Sequence, residues 1–280
     1  MRILLVTKQA AIERYDSDEL VRLAASSAGR LASMERGARC HAESLALVRE
    51  QFDHDDCTLV QIDELDGVSE DDFDLVVTVG GDGTVLAAHS LLTNTPVLAV
   101  NSDPERSLGH FTRCQARDAT ALLQRWRDDA HSIDTVFRLQ IRIGDAAPRA
   151  ILNECLFTNC NPALMSRYRI QIGDHEENQY SSGMWLSTPA GSTGAIASAG
   201  MAPCPDCGDA LLYKVREPFQ RRGSYQLLQD VLRPPQPVHL MPTTTGMTCY
   251  LDGAHRHALT TPVGTGVVIE ACEHPLHLLR

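Results

Sequence analysis

The stretch 74-DLVVTVGGDGTVLAAHSLL-92 constrains the fold more than any other part of the chain. It begins with a short apolar run, which is typical of a strand covered on both faces of a parallel sheet. A Gly-Gly-Asp-Gly-Thr turn follows, and apolar residues at helical spacing come directly after it. A strand that passes through a glycine-rich turn into a helix predicts one βα unit of an α/β sheet.

The same alternation of short apolar runs and helical patterns extends through the first 132 residues. It predicts right-handed crossovers and a doubly wound, mostly parallel α/β domain over 1–132. The predicted strands are 2–7, 57–62, 74–79 and 96–100, and the predicted helices are 17–35, 41–52 and 84–92.

From about residue 133 the apolar residues alternate with polar ones, a pattern typical of antiparallel strands. The clearest examples are 135-TVFRLQIRI-143, 168-YRIQI-172, 248-TCYLDG-253 and 266-GVVIEA-271. We therefore predict a second, β-rich domain over 133–280. Its proline-rich and basic segment 204–237 is predicted to leave the sheet as a long excursion.

The composition excludes several classes of partner. A net charge of −11 argues against general binding to nucleic acid or to an anionic membrane surface. No apolar run approaches the roughly 20 residues that a membrane helix needs. The nine cysteines are scattered and no secretory cleavage site is apparent, which favours the reducing cytoplasm. A small anionic ligand remains compatible, because backbone N–H groups bind phosphate whatever the global charge.

The glycine-rich turn has the chemistry of a phosphate site. Glycines let backbone N–H groups approach phosphate oxygens, and the start of the following helix favours negative charge. The sequence matches neither GxxxxGK[ST] nor GxGxxG. Asp82 is suited to accept a proton from a hydroxyl that attacks phosphorus. The alternative is a plain turn in which Asp82 caps the helix.

Three further segments are candidates for binding. Asn153-Glu154 places an amide beside a carboxylate, a pair that suits a ribose diol, although a simple turn is the alternative. The segment 187-STPAGSTGAIASAG-200 offers hydroxyls and bare backbone to a polar ligand, or is a capped loop. Cys204 and Cys207 have the spacing of half a zinc site or a redox pair, against a structural or incidental role.

Taken together and in this order, these motifs resemble the NAD kinase family. The segments 3-ILLVTK-8, 101-NSDPERSLGHF-111 and 212-LYKVREPFQRR-222 are similar to its mitochondrial-type branch. GGDGT alone is shared with diacylglycerol-type lipid kinases and phosphofructokinases. STPAGSTG together with NSDPERSLGH is more specific.

The resemblance implies an N-terminal α/β domain and a C-terminal β domain. It implies transfer of the terminal phosphoryl group of ATP, or of polyphosphate, to the 2′-hydroxyl of the adenosine ribose of NAD. Mg²⁺ would neutralise the donor phosphates, and no protein ligand for a metal is predicted. NAD and ATP are the expected small-molecule partners, and a homodimer or homotetramer is the expected assembly.

The resemblance also implies roles for individual residues. Asp82 would contact or deprotonate the attacking hydroxyl, and Asp252 would lie beside the site as the carboxylate of an Asp-Gly element. The turn near the phosphates comprises Gly80, Gly81, Gly83 and Thr84. The predicted NAD-binding residues are Asn153, Glu154, Ser187, Thr188, Ser192 and Thr193. Arg106, Arg216, Arg221 and Arg222 are candidates to bind a phosphate chain bidentately, with surface arginines as the alternative.

The chain departs from the family pattern at several positions. Ser182 stands where most members have an aspartate, Ala190 replaces a threonine and Ala195 replaces an aromatic residue. These changes leave the preference between NAD and NADH open. They also motivate one alternative function, a catalytically silent protein that senses NAD(H). The other alternative is a diacylglycerol-type lipid kinase, which would be expected to carry a basic or amphipathic membrane-facing surface.

Overall fold

The computed structural model describes residues 1–52, 56–107, 109–219, 225–253 and 258–280. It contains two compact units, and the chain passes from the first to the second between Thr135 and Val136. The first unit comprises Met1–Thr135 together with Leu276–Arg280, and the second comprises Val136–Pro275.

Among its described residues, the first unit contains six strands before the chain enters the second unit, with four helices between them. The strands are β1 (Arg2–Thr7), β2 (Asp56–Gln61), β3 (Leu75–Gly80), β4 (Val97–Asn101), β5 (Cys114–Gln115) and β6 (Ile133–Val136). The helices are α1 (Ser17–Ser26), α2 (Ala28–Arg49), α3 (Asp82–Ala88) and α4 (Ala116–Arg127). Short 3₁₀ turns lie at Ala11–Arg14, Glu50–Phe52, Ile62–Glu64, Glu70–Asp72 and His89–Leu91.

In the part of the second unit that the structure describes, there are twelve strands and one short helix. Its strands are β7 (Leu139–Ile143), β8 (Arg149–Ile151), β9 (Glu154–Asn159), β10 (Ser166–Ile172), β11 (His175–Ser181), β12 (Met184–Ser187), β13 (Leu211–Val215), β14 (Gln229–Leu232), β15 (Val238–Pro242), β16 (Met247–Leu251), β17 (Ala258–Thr260) and β18 (Val267–Ala271). Its helix is α5 (Ala195–Ser198), preceded by a 3₁₀ turn at Ala190–Thr193, and strand β19 (Leu276–Leu279) returns to the first unit.

The sheet of the first unit has the order β2-β1-β3-β4-β19-β6, with β5 also paired to β4. The pairs of β1, β3 and β4 are parallel, as the apolar runs predict. Helices α2 and α4 cover one face, where Leu5 and Val77 pack with Val48 and Leu123. Leu4, on the other face by alternation, is also fully buried. The predicted α/β class is confirmed.

The C-terminal strand differs from the prediction, which placed all of 133–280 in the β-rich domain. Strand β19 pairs in parallel with β4 of the first sheet. Leu276, Leu278 and Leu279 are buried there. Because four residues with this apolar content fit either kind of sheet, their pattern does not distinguish the two.

The helices between β1 and β2 also differ from the prediction. The predicted helix 17–35 breaks at Ser27, which has an extended φ of −158°. Asp16 and Glu19 form a capping box that fixes the start of α1. Helix α2 then runs continuously to Arg49, so the predicted helix 41–52 is the end of one long helix. Apolar spacing continues across such a break and does not reveal it.

The second unit is a sandwich of two six-stranded sheets, with the orders β11-β10-β15-β18-β7-β8 and β14-β13-β12-β9-β16-β17. Their inner faces share one core, in which Ile141 and Ile170 of one sheet pack with Phe157 and Leu186 of the other. The prediction for 204–237 was wrong in part, because β13 and β14 lie within it and extend the second sheet. Within the described residues, no helix is long and apolar enough to cross a membrane.

Candidate functional site

The glycine-rich turn is built for close packing at the end of β3. A Cβ on Gly80 would lie 2.0 Å from the hydroxyl of Thr84, so only glycine lets these residues approach. Thr84 is buried, and its N–H donates to the carbonyl of Gly81 over 2.9 Å. Gly83 is exposed, with no atom within 4 Å of its would-be Cβ. The turn is thus fixed on its inner side and open on its outer side.

Asp82 is the first residue of α3, and its carboxylate fastens a neighbouring loop to the turn. Oδ1 accepts from the N–H groups of Phe111 (2.9 Å) and Thr112 (3.1 Å) and from the Thr112 hydroxyl (3.2 Å). Oδ2 accepts from the N–H of His110 over 2.7 Å. The alternative that Asp82 caps its own helix is wrong, because the N-cap residue is Gly81. Oδ2, with one donor in a half-buried position, keeps acceptor capacity for a substrate hydroxyl.

The loop after β4 supports the turn from the neighbouring strand. The N–H of Ser102 donates to the carbonyl of Gly80 over 2.9 Å. The Asn101 side chain donates to the carbonyl of Ser107 (3.1 Å) and accepts from the N–H of Asp103 (3.0 Å). Sequence reasoning assigned no role to Asn101 or Ser102, although both belong to the quoted NSDPERS segment.

In the second unit, Asp252 holds the Asn153-Glu154 turn from the far end of β16. Its Oδ2 accepts from the N–H of Leu152 (3.1 Å), and its Oδ1 accepts from those of Asn153 (2.7 Å) and Glu154 (3.1 Å). Asp252 has a φ of 49°, in the left-handed region that Asp tolerates better than most residues. The predicted Asp-Gly carboxylate therefore positions the backbone of the predicted Asn-Glu pair.

Glu154 has the most perturbed carboxyl group of this turn. Its Oε2 is buried and has no hydrogen-bond partner among the described residues. Burial, with a smaller effect from the neighbouring Asp252 charge, raises the pKa of Glu154 to about 7. A buried oxygen without a partner costs free energy, and perturbed carboxyls of this kind are concentrated at functional sites.

The STPAGSTG segment is tied to the same turn by its hydroxyls. Ser187 Oγ donates to the carbonyls of Thr188 (2.9 Å) and Asn153 (3.1 Å), and Thr188 Oγ1 donates to that of Leu152 (2.6 Å). Ser192 Oγ accepts from a backbone N–H over 3.0 Å. All three side chains are fully buried. Their contact with a dinucleotide stays a prediction, and in this structure they hold the loop.

Gly191 and Thr193 occupy opposite sides of this loop. A Cβ on Gly191 would lie 2.3 Å from the carbonyl oxygen of Asn153, so the loop crosses the turn at a distance only glycine allows. Thr193 is exposed, and the following Gly194 lies close enough that a Cβ there would be 3.4 Å from Glu154 Oε2. Thr193 is therefore the predicted hydroxyl residue of this element that solvent reaches.

A cavity of about 850 Å³ lies on the second unit, against the sheet face opposite the sandwich core. Trp185 and Lys214, directly paired on β12 and β13, line it together with Ala195 and Arg216. The Lys214 ammonium donates to the Gln229 side chain. Sequence reasoning missed Trp185 and Lys214, although the alternation in MWLS places Trp185 opposite its buried neighbours.

The predicted phosphate-binding arginines are distributed over the chain. Arg106, in the first unit, forms an ion pair with Asp103 at 2.6 Å. Arg216, in the second unit, lines the large cavity and donates to the carbonyl of Ser182 over 3.5 Å. Arg221 and Arg222 lie outside the described residues.

Cys204 and Cys207 are free thiols. Both pack in a small apolar cluster beneath α5. Burial raises the pKa of Cys207 to about 11, so the thiolate needed for metal binding or redox exchange is disfavoured. Within the described ranges, no group of three or more His, Cys, Asp or Glu side chains could hold a metal ion. These observations favour the structural role.

Comparison with known proteins identifies the family. The family model for the "ATP-NAD kinase N-terminal domain" matches residues 7–130. A probable NADH kinase of Oryza sativa subsp. japonica is 32% identical over 238 residues, which cover 75% of this chain and 73% of the rice protein. The chain belongs to the NAD kinase family. It is therefore a kinase, and phosphorylation of NAD is its activity in general terms, which sets aside the lipid kinase alternative.

Other members of the NAD kinase family are similar over part or all of the chain. An NADH kinase of Arabidopsis thaliana is 30% identical over 220 residues, 65% of each protein. The structure of an Archaeoglobus fulgidus NAD kinase in complex with ATP is 20% identical with a TM-score of 0.65, covering 100% of this chain and 94% of that one. Yeast NADH kinase complexed with NADH is 18% identical with a TM-score of 0.66, covering 100% and 83%. These two structures show that the fold is shared.

Proposed function

We propose that this kinase transfers the terminal phosphoryl group of ATP or polyphosphate to the 2′-hydroxyl of the adenosine ribose of NAD or NADH. The observation that carries the proposal is the state of Asp82. Its Oδ1 accepts three hydrogen bonds, from the N–H groups of Phe111 and Thr112 and from the Thr112 hydroxyl. Its Oδ2 accepts one, from the N–H of His110. The carboxylate is thus held rigidly while one oxygen keeps capacity for the attacking hydroxyl.

The roles of the first-unit residues follow from this geometry. Asp82 Oδ2 accepts the hydroxyl proton as the ribose oxygen attacks the terminal phosphorus. The bond from that phosphorus to the bridging oxygen breaks, and ADP or the shortened polyphosphate leaves. The exposed side of the Gly81–Gly83 turn presents backbone N–H groups and the start of α3 to the phosphate oxygens. Because His110 and Thr112 fix the carboxylate before the substrate arrives, little reorganisation is needed during the reaction.

The second unit supplies groups that suit the acceptor dinucleotide. The Asn153-Glu154 turn offers an amide and an unpartnered carboxyl oxygen, which match the donors and acceptors of a ribose diol. In the nearby cavity wall, Trp185 offers an aromatic face in place of the one lost at Ala195. Lys214 and Arg216 add positive charge for the pyrophosphate.

Magnesium is proposed as the ion that accompanies the phosphoryl donor. Mg²⁺ is commonly bound by one or two carboxylates together with substrate phosphates and water. Because Asp82 Oδ2 is assigned to the attacking hydroxyl, Mg²⁺ would be held chiefly by the phosphates of the donor and by water. When bound, Mg²⁺ neutralises charge on the transferred phosphoryl group.

NADH is a second candidate acceptor beside NAD. The two relatives matched over most of the chain, from rice and from Arabidopsis, are named as NADH kinases. The replacement of an aromatic residue at Ala195 changes the wall of the large cavity, and contact with the nicotinamide ring there would distinguish the oxidised acceptor from the reduced one.

The deciding experiment measures NADP and NADPH formation by the purified protein with Mg²⁺, either acceptor, and either ATP or polyphosphate. Asp82→Asn is expected to lower turnover by about 10²–10⁴-fold. Thr112→Val is the matched control, since it removes one hydrogen bond to Oδ1 and leaves Oδ2 intact. Equal losses in both variants would refute the role of Oδ2. Dinucleotide binding without product would establish the silent sensor instead.

Two further properties are proposed. We place the protein in a reducing compartment such as the cytoplasm, because all nine cysteines are free thiols. We also expect a homodimer or homotetramer, as in the family, and light scattering coupled to gel filtration would measure its mass.

A further inference from the structure

A second, smaller cavity lies within the first unit, and its lining contains none of the residues proposed to contact the acceptor or the attacking hydroxyl. Its volume is about 200 Å³. This is below the roughly 300–1,000 Å³ of pockets for drug-sized ligands. The residues that line it include Lys8, Ser33, Gly37, His41, Asp103 and Arg106.

Arg106 is fixed in this cavity by contacts on three sides. Its guanidinium donates to the carbonyl of Ser33 in α2 and forms an ion pair with Asp103 at 2.6 Å. It also lies against Gly37, where a Cβ would approach it to 3.2 Å. A guanidinium has five N–H donors in a planar fork. Because these partners engage only part of that fork, Arg106 is oriented and retains donors for a ligand.

Lys8 follows directly after β1 and lines the same cavity. Its side chain is half-buried, and among the described residues its ammonium makes no hydrogen bond or ion pair. Burial lowers the pKa of Lys8, although the charge of Asp103 opposes this effect. Lys8 is one of two lysines in a chain with a net charge of −11. An ammonium that is partly desolvated without a partner is costly, and an anionic ligand would compensate that cost.

The cavity is connected to the glycine-rich turn by hydrogen bonds through Ser102. The Ser102 N–H donates to the carbonyl of Gly80, and its Oγ is hydrogen-bonded to His41 Nδ1 at 3.1 Å. His41 Nε2 lies 3.0 Å from Thr7 Oγ1 at the end of β1. Since β3 lies between β1 and β4 in the sheet, the cavity and the turn share the carboxyl edge, where α/β sheets bind ligands.

We propose that this cavity binds the phosphate chain of the phosphoryl donor, with Lys8 and Arg106 as its cationic groups. The inference rests on the proposed function and adds two cationic groups to the donor phosphate site at the glycine-rich turn. In the absence of ligand, Asp103 pairs with Arg106 and offsets one of the two positive charges. A bound oligophosphate would take the place of Asp103 as the partner of Arg106. ATP and inorganic polyphosphate share this chemistry, and the small volume admits a phosphate chain but excludes a dinucleotide.

The test uses inorganic tripolyphosphate as the probe and isothermal titration calorimetry as the measurement. Lys8→Met is expected to weaken its binding about tenfold or more, the usual effect of losing a hydrogen bond to a charged group. Arg14→Met is the matched control, because Arg14 also acts electrostatically on Lys8 but is exposed and outside the cavity. Binding that is equal in Lys8→Met and in the wild type, or equally weakened by Arg14→Met, would overturn the proposal.

A second variant guards against a failure of Lys8→Met to fold. Gly37→Ala removes no charge and raises helix propensity in α2. Its methyl group would displace the Arg106 guanidinium by a few tenths of an ångström. Tripolyphosphate affinity should fall while the melting temperature is kept or raised. Unchanged affinity would contradict the assignment of Arg106.

Steady-state kinetics then separates the sources of the phosphate chain. With the acceptor saturating, Lys8→Met should raise the KM for the donor about tenfold and change kcat and the acceptor KM less than twofold. A rise for both donors supports a shared site, and a rise for polyphosphate alone supports that donor. A rise confined to the acceptor KM refutes the inference. If neither NADP nor NADPH forms with any donor, the proposed function fails, whereas the calorimetric result still decides on the cavity.

Discussion

Replacing Glu154 by glutamine tests the electrostatics of the proposed acceptor site. The pKa of Glu154 is raised from an ordinary 4.5 to about 7, chiefly by burial. The folded state therefore binds the proton more tightly than the unfolded chain. The stabilisation is complete below about pH 4.5 and is lost as the pH rises through about 7. Above that pH the buried, ionised carboxylate lowers the free energy of unfolding, and the uncharged amide of glutamine does not.

The magnitude follows from the displacement of the pKa. The pKa rises by about 2.5 pH units, and at about 1.4 kcal/mol per pH unit the full effect is at most about 3.5 kcal/mol. Because the side chain is only half-buried and water relaxes around the charge, we expect roughly 1–2 kcal/mol. Glu154→Gln should therefore raise the free energy of unfolding by this amount at pH 8 and change it little at pH 5.

Urea denaturation of the wild type and Glu154→Gln at pH 5 and pH 8 measures this difference. Glu273→Gln, at an exposed position of the same unit, is the matched control and should show no pH-dependent gain. An equal effect of Glu154→Gln at both pH values, or a loss at pH 8, would refute the reasoning. The same variant should raise the acceptor KM, because Oε2 is the group proposed for the ribose, so stability and activity should change in opposite directions.

Three further outcomes are expected. Gly191→Ala should lower the melting temperature strongly through its backbone clash, whereas Gly83→Ala, with open space around its Cβ, should change stability by less than about 0.5 kcal/mol in the same thermal scan. NAD should quench the fluorescence of Trp185 in a Trp126→Phe protein, and an unchanged spectrum on saturation would exclude stacking. Asp252→Asn, which places an amide against three N–H donors, should cost about 2–4 kcal/mol in urea denaturation and weaken acceptor binding.

Strands β1, β3 and β4 of the first sheet could be predicted closely because nearly all of their residues are buried. Such strands read as continuous apolar runs, and β1 and β3 are found within one residue of their predicted bounds. The glycine-rich turn was recognisable for a related reason, since Gly80 and Gly81 allow contacts that a side chain would block. In both cases residues that are adjacent in the sequence determine the structure, so the sequence pattern displays it.

The rest depends on contacts between distant positions, which a single sequence does not display. Asp252 accepts from Leu152, one hundred residues earlier, and nothing near Asp252 in the sequence indicates this. The burial of Glu154 Oε2 without a hydrogen-bond partner arises only on folding. The same is true of the contact between the Arg106 guanidinium and Gly37. Strand β19 is too short for its pattern to select a sheet.

The return of β19 to the first sheet has a consequence for the order in which the protein is made. This strand lies between β4 and β6, yet it leaves the ribosome only after the whole of Val136–Pro275 has been synthesised. Until then the Val97 end of one edge of β4 has no partner, because β5 pairs there only with Val100 and Asn101. An unpaired apolar strand edge favours association with other chains. The first unit begins to fold early and is completed last. A fragment ending at Thr135 would therefore keep the unpaired edge that the nascent chain shows only transiently.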